Sequence, residues 1–150
     1  DIRSSILQNL YQRFRQAALY SYDGFVADLA DPAKAGEEYK KLPPQHLIIA
    51  DLPCTGSGTW SRTPEQLCFF DTKTIGVYSD LQKKILKSLI PKMADGGYLL
   101  YITCSVFSQE NESNINWLKA TYALECLKMQ TFNGYTEKAD SMFAALLQKL

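Results

Sequence analysis

Leu47-Ile48-Ile49-Ala50-Asp51-Leu52-Pro53-Cys54-Thr55-Gly56-Ser57-Gly58 is the stretch that decides the fold. An apolar run of strand length breaks off into a polar, glycine-rich turn, and Tyr98-Leu99-Leu100-Tyr101-Ile102-Thr103-Cys104-Ser105 does much the same. Each run closes on a cysteine. A buried strand that ends this way puts its turn at the carboxyl edge of a parallel sheet, the edge where open α/β sheets bind ligands. Neighbouring strands lie about 4.8 Å apart, so if these two are adjacent, both thiols look into one crevice. Two thiols in one cleft point to covalent chemistry.

Outward from these runs, helical and strand-like segments alternate. Ser4 to Leu19 places Ile6, Leu7, Leu10, Phe14, Ala17 and Ala18 on one helical stripe, with Ser4 or Ser5 as caps. Gly24 to Asp28 reads as a short strand ending in an acid, and Asp31 to Lys41 as a brief helix stopped by Pro43-Pro44. His46 to Ala50 is the next buried strand, and Ser61 to Asp71 a loop or short helix. Tyr78 to Met93 is an amphipathic helix with Leu81, Ile85, Leu86, Leu89 and Ile90 inward, closed by the turn Asp95-Gly96-Gly97. Tyr98 to Thr103 is a strand and Glu110 to Thr121 a helix; Leu124 to Phe132 and Met142 to Leu147 are late strands joined through Asn133-Gly134. This alternation predicts an α/β fold on a largely parallel sheet.

Composition narrows the function. At 150 residues and 46% apolar the chain fits one domain with a real core. Sixteen basic and sixteen acidic residues cancel, so no global field draws the chain onto nucleic acid, and an RNA partner needs a local patch. The apolar runs are too short to cross a bilayer and no secretory-type leader is read. Cys54, Cys68, Cys104 and Cys126 show no CxxC spacing, against zinc ribbons and thioredoxin-like redox work, and the expected compartment is the reducing cytoplasm. The single His46 reads as a structural histidine ahead of a strand.

The loop after Cys54 fails the tests for several familiar chemistries. It lacks the lysine of a P-loop, and Ser57 sits in Gly-Ser-Gly rather than in a nucleophile elbow. Arg62 lies too far along the chain for the tight cysteine-to-arginine loop of a tyrosine phosphatase. Taken singly, Cys54 and Cys104 also fit a bland reading as small buried hydrophobes beside turns. Together, with Asp51 near one and Thr103, Ser105, Glu110, Asn111 and Glu112 near the other, packing alone explains them less well. Cys68 and Cys126 lack such surroundings and read as packing residues.

Asp51-Leu52-Pro53-Cys54-Thr55-Gly56-Ser57-Gly58-Thr59 with Arg62-Thr63-Pro64-Glu65 resembles a motif of the RNA cytosine-5 methyltransferases. Tyr101 to Val106 followed by Glu110-Asn111-Glu112 resembles that family's second signature. The nearest flavour is the bacterial Sun (Fmu) branch, which acts on ribosomal RNA. Asp1-Ile2-Arg3, Val26-Ala27-Asp28, the glycine turn at Asp95-Gly96-Gly97 and the closing stretch Asp140 to Leu146 fall in the family's order, with Ser141 where a glycine is usual.

The resemblance implies a Rossmann-like class I methyltransferase sheet, mostly parallel, of which residues 1–150 form the C-terminal part of the catalytic domain. It implies methyl transfer from S-adenosylmethionine to C5 of a cytosine in RNA. In that scheme Cys104 is the nucleophile that adds to C6, and Cys54 assists release. Asp51 serves the methionine end of the cofactor and the base edge, with Pro53 beside it; Asp1 would bind the ribose hydroxyls and Asp28 the adenine side. Without the resemblance, Asp1 and Asp28 read as cap or turn acids. Arg62 is the candidate phosphate contact, and Lys83, Lys84 and Lys87 a solvated helix face.

The family's glycine-rich cofactor loop, which precedes the segment matching Asp1, is not among these residues. In the family's strand order 3-2-1-4-5-7-6 the first two strands are the ones missing here, and they would lie between Val26 and Ile48. Two expectations follow: weak cofactor binding and inactivity of these 150 residues alone, and either closure of Phe25-Val26 onto His46 to Ala50 or self-association through an exposed sheet edge. A non-catalytic RNA-binding or scaffolding module on the same fold is the competing reading; it has no need for both cysteines.

Overall fold

The computed structural model describes residues 2–150 and divides into two compact units, Asp1–Pro43 and Pro44–Leu150. In the first, helix α1 spans Ser4–Gln16, with Arg3 at its cap position and no side-chain cap, so neither expected serine fills that role. Its apolar stripe is only partly covered: Phe14 meets Tyr22 edge-on at 4.7 Å, and the Tyr11 hydroxyl donates to the Gly24 carbonyl at 2.8 Å. The expected strand at Gly24 to Asp28 is not formed. Phe25-Val26-Ala27 has strand composition, but a strand exists only by pairing, and no partner strand lies beside it among the described residues. Asp28 instead accepts the Ala30 N–H at 3.0 Å and closes a turn. The brief helix α2 follows at Gly36–Lys41.

The second unit is built on a four-stranded sheet. Strands β1 (Gln45–Asp51), β2 (Met93–Thr103), β3 (Leu124–Phe132) and β4 (Met142–Lys149) stand in the order β1-β2-β4-β3. β1 and β2 are parallel, while β4 runs antiparallel to both β2 and β3. Three strands therefore point one way, and the last is inserted against them, which reproduces the 4-5-7-6 half of the expected order. The adjacency on which the two-thiol reading rests is real: Asp51 pairs with Ile102 at the ends of β1 and β2.

The glycine turn Asp95-Gly96-Gly97 lies inside β2 rather than ahead of it. β2 bulges there, so the register jumps from Gln45↔Met93 to Leu47↔Tyr98. Three helices complete the unit: the short α3 (Gln66–Phe69), the long α4 (Lys73–Leu89) and α5 (Glu112–Thr121). The core unites Ala50, Leu52, Leu99, Tyr101, Phe143, Ala145 and Leu147 from the sheet with Leu86, Ile90, Ile115 and Leu118 from the helical segments. These sheet positions alternate along their strands, as one buried face requires. Leu47 and Ile49, on the other face of β1, are more than half exposed, so β1 is buried on one side only. No helix among the described residues is long and apolar enough to cross a membrane.

Candidate active site

Both cysteines stand just past the carboxyl ends of the two parallel strands, and their Sγ atoms are 3.2 Å apart. The strands deliver them in register: the ladder runs one step beyond β1, where the Leu52 N–H donates to the Ile102 carbonyl at 3.0 Å. Beyond that point two loops are stitched together. The Gly58 N–H donates to the Cys104 carbonyl and the Ser141 N–H to the Gly58 carbonyl, each at 2.9 Å. A Cβ on Gly58 would lie 2.0 Å from the Ser141 oxygen, so this close approach requires glycine. Gly56 meets the other glycine requirement, with φ at +71°.

Glu110 is the hub of the stitching, fully buried. One carboxylate oxygen accepts the Thr55 N–H at 2.8 Å, and the other accepts the Thr55 hydroxyl at 2.7 Å and the Ser105 hydroxyl. Ser57 Oγ accepts the Val106 N–H at 2.9 Å and lies 3.2 Å from Ser105 Oγ. Asn111 donates to the Ser105 carbonyl at 2.8 Å while accepting from the Thr103 hydroxyl at 2.5 Å. One carboxylate thus fixes the residue after Cys54 and the residue after Cys104 at once. Hydrogen bonds to charged groups contribute more than neutral ones, so this link resists the two loops drifting apart.

A second layer comes from α4. Its inward stripe reads Ile75, Ser79, Gln82, Leu86, and the two polar members serve the site. Gln82 donates to the Pro53 carbonyl at 2.9 Å and accepts from Asn114 at 2.6 Å. Ser79 donates to Asn114 Oδ1 at 3.1 Å. The Tyr101 hydroxyl donates to the Glu110 carbonyl and lies 3.1 Å from Gln82 Oε1; burial pushes its phenol up, so it stays a donor. Among the described residues no buried side-chain polar atom lacks a partner.

This geometry sets the protonation of the pair. A hydrogen bond from Cys54 stabilises the Cys104 thiolate and lowers that group from 9.0 to about 7, against burial and the Asp51 charge, which push the other way. The same bond, with burial, raises Cys54 well above the ordinary thiol range. The direction of the two shifts favours loss of the first proton from Cys104, with the remaining proton held on Cys54.

The remaining predicted residues are distributed as follows. Asp51 ends β1 with an exposed side chain, and Pro53 is exposed beside it. Arg62 is in a bidentate pair with Asp140, Nε to Oδ1 at 2.7 Å and Nη2 to Oδ2 at 2.8 Å, which ties the Cys54 loop to the segment before β4. Asp28 belongs to the first unit, and Asp1 lies outside the described residues. Cys68 is exposed and Cys126 partly so, and both are free thiols. Gln82, Asn114 and the close approach at Gly58 escape sequence reasoning, as do the contacts that Tyr101 and Ser57 make. The one available signal was a glutamine in the middle of an apolar helical stripe.

The sequence matches the family described as 16S rRNA methyltransferase RsmB/F over residues 7–148. The chain belongs to this family. Among its relatives, the ribosomal RNA small subunit methyltransferase F of Serratia proteamaculans is 32% identical over 108 residues, which make up 72% of this chain and 20% of that protein. The tRNA (cytosine(72)-C(5))-methyltransferase NSUN6 of Mus musculus is 35% identical over 83 residues, 55% of this chain and 16% of that protein. The chain thus spans about a fifth of the length of these curated relatives. The crystal structure of NSun6 from Pyrococcus horikoshii with SFG superposes with a TM-score of 0.84 at 20% identity, over 99% of this chain and 40% of that one.

Proposed function

We propose that this chain carries the reactive centre of an enzyme that methylates C5 of a cytosine in RNA, ribosomal RNA first, through a covalent bond between Cys104 and C6 of the base. The observation that carries the reading is the 3.2 Å thiol pair at the carboxyl edge of the sheet, and the lowered Cys104 thiol supports it. The activities for which two relatives are named, rRNA methylation and tRNA cytosine-C5 methylation, support it.

Cytosine C5 is a weak nucleophile. The Cys104 thiolate adds to C6, a C6–S bond forms, and the electron pair of the C5–C6 double bond moves onto C5 and into the ring. S-adenosylmethionine, when bound, supplies the methyl group as an electrophile. The exposed Asp51 carboxylate suits the ammonium of that cofactor's methionine end, with Pro53 beside it; Asp1 and Asp28 are proposed for its ribose and adenine on the family resemblance. While Cys104 is bonded to C6 it bears no negative charge, so the main cause that holds the Cys54 proton in place is gone. Cys54 then releases its proton to solvent and takes the proton from C5. The C5–C6 double bond re-forms, and the sulfur of Cys104 leaves with its electron pair, stabilised again by the Cys54 hydrogen bond. Arg62 keeps Nη1 outside its pair with Asp140, the nitrogen proposed to meet an RNA phosphate.

The cytosine must leave its stack to reach this edge, which costs about a few kcal/mol in a duplex and less in a loop. Because the glycine-rich loop is not among these residues, the 150-residue chain alone is proposed to bind S-adenosylmethionine weakly and to turn over little. Pairing of the β1 edge with another copy belongs to the same set of proposals. The test is adduct formation on denaturing gels with the intact protein, S-adenosylmethionine and substrate RNA. Cys54→Ala accumulates a covalent protein–RNA band, and Cys104→Ala gives none; equal adduct in both variants refutes the assignment.

A further inference from the structure

Beside the Cys54 loop the structure has a shallow open pocket of about 140 Å3 that the methyl-transfer chemistry does not use. A cavity of about this size takes one benzene-sized ring. Thr55, the residue after Cys54, lines it, and consecutive Cα atoms are about 3.8 Å apart, so the pocket adjoins the Cys54 loop. Trp60, Phe69, Phe70 and Tyr78 form the aromatic part of its wall. Trp60 meets Phe70 edge-on at 4.8 Å, and Phe70 stacks on Phe107 at 5.4 Å and 9°, which makes a stiff backing. Phe69 stands at the lip, 82% exposed.

The chemistry of the lining selects the class of ligand. No lysine or arginine lines the pocket, and Asp71 contributes a carboxylate, so a phosphate is repelled and a neutral flat group is not. Gln66 and Tyr78 also line it; the Gln66 amide offers donors and an acceptor, and the Tyr78 hydroxyl one of each. A flat neutral ring with polar edges, beside a reacting cytosine, is another base of the same strand.

We propose that this pocket holds an unpaired nucleobase adjacent in the RNA to the target cytosine, stacked on Phe69 and read at its edge by Gln66 and Tyr78. This rests on the RNA cytosine reading above. Base–aromatic stacking is strong enough that removing one such ring weakens single-strand binding by about tenfold.

The test uses the intact protein and single-stranded RNA containing the target cytosine, with an abasic nucleotide placed in turn at each flanking position. Phe69 is exposed, so Phe69→Ala leaves the core in place. Affinity for intact RNA is expected to fall about tenfold in Phe69→Ala, and the fall should vanish for RNA abasic at one flanking position. Gln66→Ala and Tyr78→Phe should flatten any preference among the four bases at that same position. A Phe69→Ala loss that is equal for intact and abasic RNA assigns the pocket to another occupant and overturns the proposal, as does no loss at all. The Cys104 adduct is scored in the same samples: if it forms while the stacking effect is absent, only the pocket fails. If it never forms with any RNA, the parent reading fails and the pocket proposal falls with it.

Discussion

Removing the Cys54 thiol changes the chemistry of Cys104 in a way the structure lets us size. In the native pair the hydrogen bond from Cys54 is the largest cause holding Cys104 near 7 rather than 9.0, while burial and Asp51 oppose it. Cys54→Ala removes that bond and leaves the opposing causes, so Cys104 should titrate at 9.0 or above. At about pH 7.5 the thiolate fraction then drops from about three quarters to about 3%, a loss of about 25-fold. A more basic thiolate is a better nucleophile, however, and a Brønsted slope of 0.4–0.5 over two pH units returns about 6- to 10-fold. The net slowing at one pH is therefore only about 2.5- to fourfold, whereas the midpoint of the pH–rate curve moves by about two pH units. The assay is alkylation by iodoacetamide as a function of pH, read by mass spectrometry on the Cys104 peptide, with exposed Cys68 as reagent control. The sign is fixed: reactivity rises with pH through about 7 in the native protein and only near or above 9 in Cys54→Ala. A midpoint unchanged by the substitution, or a native midpoint already near 9, refutes the shared-proton reasoning.

Other perturbations test other parts of the site. Gly58→Ala puts a methyl group into the Ser141 carbonyl, and overpacking of that kind should cost about 1–3 kcal/mol in denaturant unfolding; an unchanged midpoint would mean the loops separate freely. Glu110→Gln keeps the shape but weakens three hydrogen bonds to a charge, so stability should fall by about 1–3 kcal/mol and the Thr55 amide should exchange faster; a neutral effect removes Glu110 as the hub. Peroxide should convert the Cys104 thiolate to a sulfenic acid with loss of hydroxide, and the Cys54 thiol should then displace water from it to close a disulfide across the 3.2 Å gap. Peptide mapping should find that linkage reversed by dithiothreitol; overoxidation of Cys104 with Cys54 still free would show that the sulfurs do not meet.

How far the sequence carried depends on what kind of interaction made each feature. The strand ends at Cys54 and Cys104 were legible because an apolar run and a glycine turn are local signals, and strand adjacency then brought the thiols together. The residues that hold them there were not legible, because a buried polar network is defined by partners distant in sequence: Gln82 and Pro53, Asn114 and Ser79, Glu110 and Thr55. Hydropathy reads Ser79 and Gln82 as interruptions of an inward stripe, while in space they are the reason α4 grips the site. The strand expected at Gly24 to Asp28 failed for the complementary reason, since composition proposes a strand but only a neighbour makes one. Hydrophobicity alone reads Leu47 and Ile49 as buried, yet the core gathers on the opposite face of the sheet, the face of Ala50.

The most direct test of the division of labour between the cysteines is the site of the covalent bond. The intact protein is incubated with S-adenosylmethionine and RNA in which the target cytosine carries fluorine at C5, which blocks proton removal and so release. The trapped complex is digested and sequenced by mass spectrometry. The nucleotide is expected on Cys104, with Cys54 recovered as a free thiol. A nucleotide on Cys54, or a complex that forms equally well in Cys104→Ala, would contradict the account.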